Sequence, residues 1–429
     1  MNLKNLFNKT NFHKLKETGF FSIFISSILS KILVFIGGVV LIRVLSKTDY
    51  GIYAYVLNCI SMLCLLNDFG VSSAAFQYLT ENFDNEKKQG AILKYSLFVG
   101  IYASIVGSIL ILLSPIYYPF MIDKAKSLTQ ILCILPFLTL INGLIPVILR
   151  AKLDNKNYGK LQILSTFFSY LTLIPLSLAF GVFGAIISQY FYNIIILIVG
   201  LVLILKYLKK YTYKENLKKS EKKEFVKFSL ATQINNTIGG ALIIIDTFII
   251  GLLIANPIDI ASYKVASIIP HALSFLPTCV VIYTLPYFIK NNQNIAWMKK
   301  NFNRLIKYGL MIYAIICLGL IVFSKLTFSI LYGNKYNEAI PIFIVLIIGF
   351  FFSATFKIPC SNIVYSMKKV RVNIIINVIS IIINFISNII FLRLFGVIGV
   401  AITTTLINII SSIIYVIYIN KLLKKKEVY

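Results

Sequence analysis

The sequence predicts an all-α integral membrane protein with about twelve transmembrane helices in two six-helix bundles and both termini in the cytoplasm. Three observations carry that expectation. Hydrophobic residues make up 58% of the 429 and charged residues only 13%, with a mean hydropathy of +0.85; a soluble chain of this length would need more polar surface. Polar breaks interrupt the apolar sequence roughly every 20 to 30 residues, the spacing of helices that cross a bilayer. The longest polar segment, Lys206–Lys227 (KYLKKYTYKENLKKSEKKEFVK), lies near mid-chain and sets nine lysines against Glu215, Glu221 and Glu224. A block this basic beside membrane helices stays on the cytoplasmic side. It divides the chain into an N-terminal bundle, residues 1–205, a basic cytoplasmic linker, 206–227, and a C-terminal bundle, 228–429. Its like charges read as a solvated linker, with contact to anionic lipid as an additional role.

The elements follow in order. Residues 1–19 hold Lys4, Lys9, Lys14 and Lys16 and read as cytoplasmic. The apolar run 20–42 is too long for a cleaved signal and lacks a small-residue cleavage site, so it reads as a retained first span. A break at Ser46–Tyr50 leads to the second span, 51–79. ENFDNEKKQG precedes the third, 91–114, YYPFMIDKAKS the fourth, 128–149, and RAKLDNKNYGK the fifth, 161–179. Only FGVFG separates the fifth from the sixth, 183–205. Beyond the linker, spans fall at 228–254, 261–288, 308–331, 339–364, 374–393 and 397–420, followed by the tail KLLKKKEVY. With the N-terminus inside, 32 of the 42 Lys and Arg lie in cytoplasmic segments and eight in outward breaks, while Lys31 and Lys357 lie within spans. That bias places both termini inside.

Internal symmetry supports two repeats. FGVFGAII at 180–187 matches FGVIGVAI at 395–402, each forming the tight turn before the last span of a half. DYGIYAYV at 49–56 faces DIASYKVA at 259–266, each opening a second span. Halves with an even number of spans share one orientation and are related by an axis along the membrane normal, an architecture that permits alternating access by rocking of two bundles.

Composition also narrows the chemistry. A net charge of +27 could suggest nucleic acid, but the basic residues sit in short breaks between apolar runs, so none is expected as a partner. The six cysteines form no CxxC pair and only His13 and His271 are present, so no metal site and no cofactor is expected. There is no GxxxxGK[ST], HExxH or GxSxG, and no catalytic residue is assigned. The choice lies between a transporter and a membrane-embedded enzyme such as a polysaccharide polymerase. An enzyme of that type would carry a large polar outer loop, and the outer breaks are all short.

Function then falls to polar groups inside spans, where they are costly and usually face an interior. Lys31 stands roughly 16 Å into the first helix at 1.5 Å per residue. Asp68 lies within the second span, Asp246 within the seventh and Lys357 within the tenth. Each has a structural alternative, such as an ion pair between Lys31 and Asp68. At 100° per residue, Thr232, Asn235, Asn236, Gly239 and Asp246 share one face of the seventh helix. Lys264, Ser267, His271, Ser274 and Thr278 share one face of the eighth, which Pro270, Pro277 and Pro286 would bend. Asn373, Asn377, Ser380, Asn384 and Asn388 form a stripe on the eleventh. Its amides suit sugar hydroxyls or, equally, hydrogen bonds between helices.

RVLSKTDYGIYAYV at 43–56, NDFGVSSAAFQYL at 67–79, the two FGVxG turns and the long basic loop together resemble bacterial polysaccharide exporters of the Wzx O-antigen flippase type. These share a superfamily with the multidrug exporters called MATE and the lipid II flippase MurJ. The resemblance implies a MATE-like fold in the bacterial inner membrane. It implies a flippase that moves a polyprenyl-diphosphate-linked oligosaccharide by alternating access for surface polysaccharide such as O-antigen or capsule. Such a substrate calls for cations at its diphosphate, for which Lys31, Arg43, Lys264, Lys357 and His271 are the candidates. Asn373, Asn377, Asn384 and Asn388 would meet the glycan. Asp68 and Asp246 would take a coupling H⁺ or Na⁺, or serve as structural partners of a lysine. Membrane lipids and a polysaccharide polymerase are the further partners implied. The runner-up is a MATE-like multidrug exporter, which would favour acidic and aromatic residues in its cavity. The lysines in these spans are at least as numerous as the carboxylates, which favours an anionic substrate.

Overall fold

The computed structural model describes residues 20–64, 68–211, 215–291, 293–367 and 369–425, and every regular element among them is helical. The four lysines expected in a cytoplasmic segment at 1–19, and the tail end at 426–429, lie outside the described residues. Contacts divide the chain into two compact units, one ending at Thr237 and the other beginning at Ile238.

Unit 1 contains α1 (Phe20–Val44), α2 (Lys47–Leu63), α3 (Val71–Glu81) and α4 (Glu86–Tyr117). α5 (Asp123–Ile131) continues through one 3-10 turn into α6 (Leu135–Ala151), and α7 covers Asn155–Leu208. α8 (Lys219–Leu253) begins in unit 1 and ends in unit 2. Unit 2 adds α9 (Pro257–Leu273), α10 (Phe275–Lys290), α11 (Ile295–Val322), α12 (Ser324–Tyr332) and α13 (Ile340–Phe352). A single π-helical turn, Ser353–Lys357, joins α13 to α14 (Ile358–Ser366), and α15 (Val370–Phe395) and α16 (Val397–Lys425) complete the chain. Nine stretches among the described residues are long and apolar enough to cross a membrane.

The packing is that of helices in lipid. On α4 the small residues Ser96, Gly100, Ala103, Ser104 and Gly107 are buried. Phe98, Ile101, Tyr102, Ile105 and Ile109 of the same helix are exposed. A water-soluble helix would reverse this arrangement. Lipid tails match large apolar side chains, and small residues let helix backbones approach.

Several of the expected spans are interrupted by devices that hydropathy does not register, three of which bear on the site. The second is represented by two helices, α2 ending at Leu63 and α3 beginning at Val71. Ser46 caps α2 by accepting from the Asp49 N–H at 2.9 Å. Asp68, expected deep inside the span, instead sits at the break, where its carboxylate accepts from the N–H groups of Gly70 (2.9 Å) and Ser72 (3.2 Å). In place of the alternative of an ion pair between Lys31 and Asp68, the Asp68 carboxylate at the start of α3 meets backbone N–H groups that lack a partner within the helix. The eighth span breaks at Ser274, whose hydroxyl donates to the His271 carbonyl at 2.6 Å. The tenth is interrupted by the π turn that ends at Lys357.

The two FGVxG turns have the same geometry. Gly181 adopts φ 57°, ψ −137° and Gly396 φ 64°, ψ −150°, a region essentially restricted to glycine. Three residues on, a Cβ at Gly184 would lie 1.9 Å from the Leu176 carbonyl oxygen, and one at Gly399 2.0 Å from that of Phe391. Residues eight apart in a straight helix stand about 12 Å apart, so the chain folds back on itself at both turns. α7 is a hairpin of two helices. Alanine at Gly399 must displace backbone, and Gly399→Ala is expected to cost about 1–3 kcal/mol, the range of core overpacking. At Gly319, by contrast, a Cβ would meet nothing within 4 Å. Thermal unfolding in detergent checks this: Gly399→Ala should lower the midpoint and Gly319→Ala should not.

The basic linker differs from the solvated segment its charge suggests. Tyr211, Leu217 and Phe225 interleave its lysines and are buried in the core of unit 1. Glu221 pairs with Lys88, and Lys94 donates to Asn216 at 3.0 Å. Asp154 caps α7 and receives Lys206 at 2.9 Å and the Tyr207 hydroxyl at 2.7 Å, tying the end of that helix to its start. Burial raises the Asp154 carboxyl pKa, but hydrogen bonds from Lys206, Tyr207 and Asn157 outweigh it and bring it down to about 2.

Candidate functional site

A buried carboxylate, Asp246 of α8, organises unit 2. It is 6% exposed and has four hydrogen-bond donors, all neutral. Tyr263 of α9 and Thr404 of α16 donate their hydroxyls to Oδ2 at 2.6 and 2.8 Å. Asn388 and Asn384 of α15 donate their amides to Oδ1 at 2.8 and 3.3 Å. Asn388 also donates to Asn384 Oδ1 at 3.0 Å, and Thr404 to the Val400 carbonyl at 3.1 Å. Four helices thus converge on one carboxylate. Within the low dielectric of a bundle, a group donated to on every side is held in place without a cation in direct contact.

Asp246 lies on the wall of a cavity of about 310 Å³. Lys264, Ser267, His271 and Ser274 of α9 line it along one face, as the seven-residue spacing of Lys264 and His271 predicts. Lys357 and Ser353 enter from the two ends of the π turn, and Thr404 and Asn408 from α16. Lys357 donates to Asn408 Oδ1 at 3.0 Å. Among the described residues neither Lys264 nor Lys357 has a carboxylate within 4 Å. The cavity therefore combines two lysines and a histidine with one carboxylate whose lone pairs are already engaged. Its electrostatic character favours an anion.

The residues expected from sequence are distributed unevenly. Lys264, His271, Lys357 and Asp246 come together in this cavity. The asparagine stripe divides: Asn384 and Asn388 are buried and serve Asp246, whereas Asn373 donates to the Ser361 carbonyl at 2.9 Å and Asn377 is half-buried outside the cavity. The stripe's middle member, Ser380, bonds Ser411 of α16 at 3.2 Å. These contacts run mainly between helices. Lys31 and Arg43 are exposed on α1 in unit 1, and neither lines this cavity. The Asn235 side chain lies outside what is described, as do the surroundings of Gly239. Tyr263, Thr404 and Asn408 were not singled out by sequence. Thr404 and Asn408 are four apart on α16, one helical face within a segment that also carries Thr403, Thr405, Ser411 and Ser412, a spacing that could have found them.

Comparisons place this arrangement in context. The family model for polysaccharide biosynthesis protein matches residues 40–341. An uncharacterized membrane protein of Methanocaldococcus jannaschii is 26% identical over 417 residues, covering 88% of this chain and 78% of that one. Among solved structures, an inward-facing multidrug resistance MATE family transporter of the MOP superfamily superposes with a TM-score of 0.74 at 12% identity, covering 92% of this chain and 95% of the other. The lipid II flippase MurJ in an inward closed conformation gives 0.73 at 19% identity, covering 93% and 87%. At these identities the likeness concerns the fold. The protein is multi-pass and embedded in a membrane, has the fold common to MATE transporters and MurJ, and belongs to the polysaccharide biosynthesis protein family.

Proposed function

We propose that the protein is a flippase for a polyprenyl-diphosphate-linked oligosaccharide, working by alternating access in the cytoplasmic membrane during assembly of a surface polysaccharide such as O-antigen or capsule. The observation that carries the reading is the cavity of unit 2, where Lys264 and Lys357 have no carboxylate within 4 Å among the described residues and stand beside a fully hydrogen-bonded Asp246. A diphosphate cannot cross hydrocarbon uncompensated, and two ammonium groups with hydroxyls and amides around them supply what it needs. The match to the polysaccharide biosynthesis protein family supports a glycan-bearing substrate. Lys31 and Arg43 of unit 1 are the remaining cations assigned to the substrate.

In this reading α7 counts as two helices, and α2 with α3, α5 with α6, α9 with α10, α11 with α12 and α13 with α14 each count as one span, giving twelve spans with the termini and the Lys206–Lys227 segment on the cytoplasmic side. Asp246 is the seat of a coupling H⁺ or Na⁺. Its lone pairs are taken by donors, so a cation enters by displacing the Thr404 hydroxyl hydrogen, after which the Thr404 oxygen can turn toward it beside Asn388 Oδ1, which is buried with no hydrogen-bond partner among the described residues. Asn384 and Asn388 act there as positioning residues, and Asp68 keeps its structural role at the head of α3. No residue is assigned to catalysis.

The test is the leaflet that holds the lipid-linked oligosaccharide. Cells lacking the protein should accumulate it on the cytoplasmic face and lose surface polysaccharide, and the intact gene should restore both. Normal placement of the glycolipid in the deleted strain, with altered sensitivity to cationic drugs, would instead establish a multidrug exporter.

A further inference from the structure

The first turns of α8 carry a cationic stripe that the transport reading does not use. Lys219, Lys223 and Lys227 are all exposed. At 100° per residue they fall within an 80° arc. Leu230 and Ile234, 44% and 60% exposed, continue the same arc one and two turns further on. Neither Glu221 nor Glu224 shares it: they lie about 200° and 140° from Lys219, and Glu221 is already bound by Lys88 and by the Lys218 N–H. None of the three lysines has an ion pair or hydrogen bond to another described residue. One face of one helix therefore passes from three unneutralised ammonium groups to exposed apolar side chains.

A second helix fixes what that transition means. On α4 the change from charge to exposed apolar surface falls between Lys94 and Phe98. The Tyr95 ring meets Phe225 of α8 edge-on at 5.5 Å and stacks with Phe98 at 6.4 Å, and Lys222 lies over Tyr95 at 5.6 Å. Tyr side chains favour the level of lipid headgroups, and Tyr95 stands where the charged start of α4 gives way to its exposed apolar part. Because Phe225 touches Tyr95, the α8 lysines stand at the same level. They are also held there: Phe225 and Leu217 are buried in unit 1, and Lys88 anchors Glu221. A flexible basic tail would only raise the local concentration of anionic lipid, whereas a rigid stripe presents a defined site.

We propose that Lys219, Lys223 and Lys227 bind the phosphates of anionic phospholipids, with the acyl chains lying along Leu230 and Ile234. The lipid would pin the start of the helix that begins in unit 1 and ends in unit 2. Each basic residue near an anionic surface is worth about fivefold in binding, so three acting together give on the order of a hundredfold preference over a zwitterionic lipid. The experiment uses the full chain purified in neutral detergent, with bound lipid counted by native mass spectrometry against phosphatidylglycerol and phosphatidylcholine. Wild type should retain phosphatidylglycerol selectively. Lys219→Gln/Lys223→Gln/Lys227→Gln should lose most of that selectivity, and the corresponding triple arginine variant should keep it. Lys87→Gln/Lys209→Gln/Lys210→Gln removes the same charge from exposed positions elsewhere and should keep it too. Unchanged selectivity in the stripe variant, or equal loss in both glutamine variants, would overturn the proposal in favour of diffuse attraction to the basic surface. The arginine variant and an unshifted thermal midpoint in phosphatidylcholine exclude misfolding as the cause.

Discussion

Asp246→Asn is expected to yield a folded, membrane-inserted protein that no longer exports polysaccharide, while Asp246→Ala is expected to be lost from the membrane. The difference follows from the four donors that meet the carboxylate. Alanine strands all of them in a buried site, at about 1–3 kcal/mol for each unsatisfied group, a sum comparable to the whole stability of an ordinary domain. Asparagine can turn its oxygen toward the amides of Asn384 and Asn388. Its NH₂ then faces the hydroxyls of Tyr263 and Thr404, which can rotate to accept. Pairing survives and only the charge is gone. If a coupling cation sits on that charge, surface polysaccharide should fall by well over tenfold at equal membrane level. Normal export by Asp246→Asn would show that the carboxylate is a structural hub alone.

Sequence made much of this legible, and the reasons are specific. The spans follow from hydrophobicity, which depends on composition and needs no partner. The FGVxG turns could be placed because a glycine that needs positive φ, followed by one with no room for a Cβ, leaves a short fixed pattern at both 181–184 and 396–399. The α9 face could be placed because helical periodicity is local, and Lys264 and His271 do share one wall. Asp68 was misjudged for the opposite reason. Whether a carboxylate in an apolar run meets lipid, a lysine or a free backbone N–H depends on a helix break that hydropathy averages away. Asn384 and Asn388 point to the same limit. Their shared face was visible, but that it turns toward a carboxylate of α8, some 140 residues away in sequence, depends on tertiary packing. The linker was read from its lysines, and Tyr211, Leu217 and Phe225 between them decided its actual course.

Removing both Lys264 and Lys357 is expected to reduce export to background, with each single Lys→Gln change costing about tenfold, the loss of one charge-assisted contact to phosphate. The two lysines approach the cavity from different helices, one on the α9 face and one at the π turn, a feature that recurs at functional sites. Neither is neutralised by direct contact with a carboxylate, and Lys357 bonds only the Asn408 amide oxygen among the described residues. A competing account is that Lys264 merely balances the charge of Asp246 in the same cavity. Because Asp246→Asn is itself expected to stop export, the two accounts separate in pyrophosphate binding by the purified variant Asp246→Asn/Lys264→Gln. If balance were the only role, removing both charges would restore the binding that Lys264→Gln alone takes away, since no unpaired buried charge remains. If Lys264 holds the substrate phosphate, binding by the double variant stays weak. Arginine at position 264 or 357 keeps the charge but replaces a compact ammonium with a planar fork, so partial export is expected from each. The measurement is surface polysaccharide in a flippase-deficient strain, with membrane levels checked for every variant. A parallel titration of the purified protein with pyrophosphate should show weaker binding in both single glutamine variants. Full export by Lys264→Gln/Lys357→Gln at normal membrane level would remove this cavity from the path of the anion.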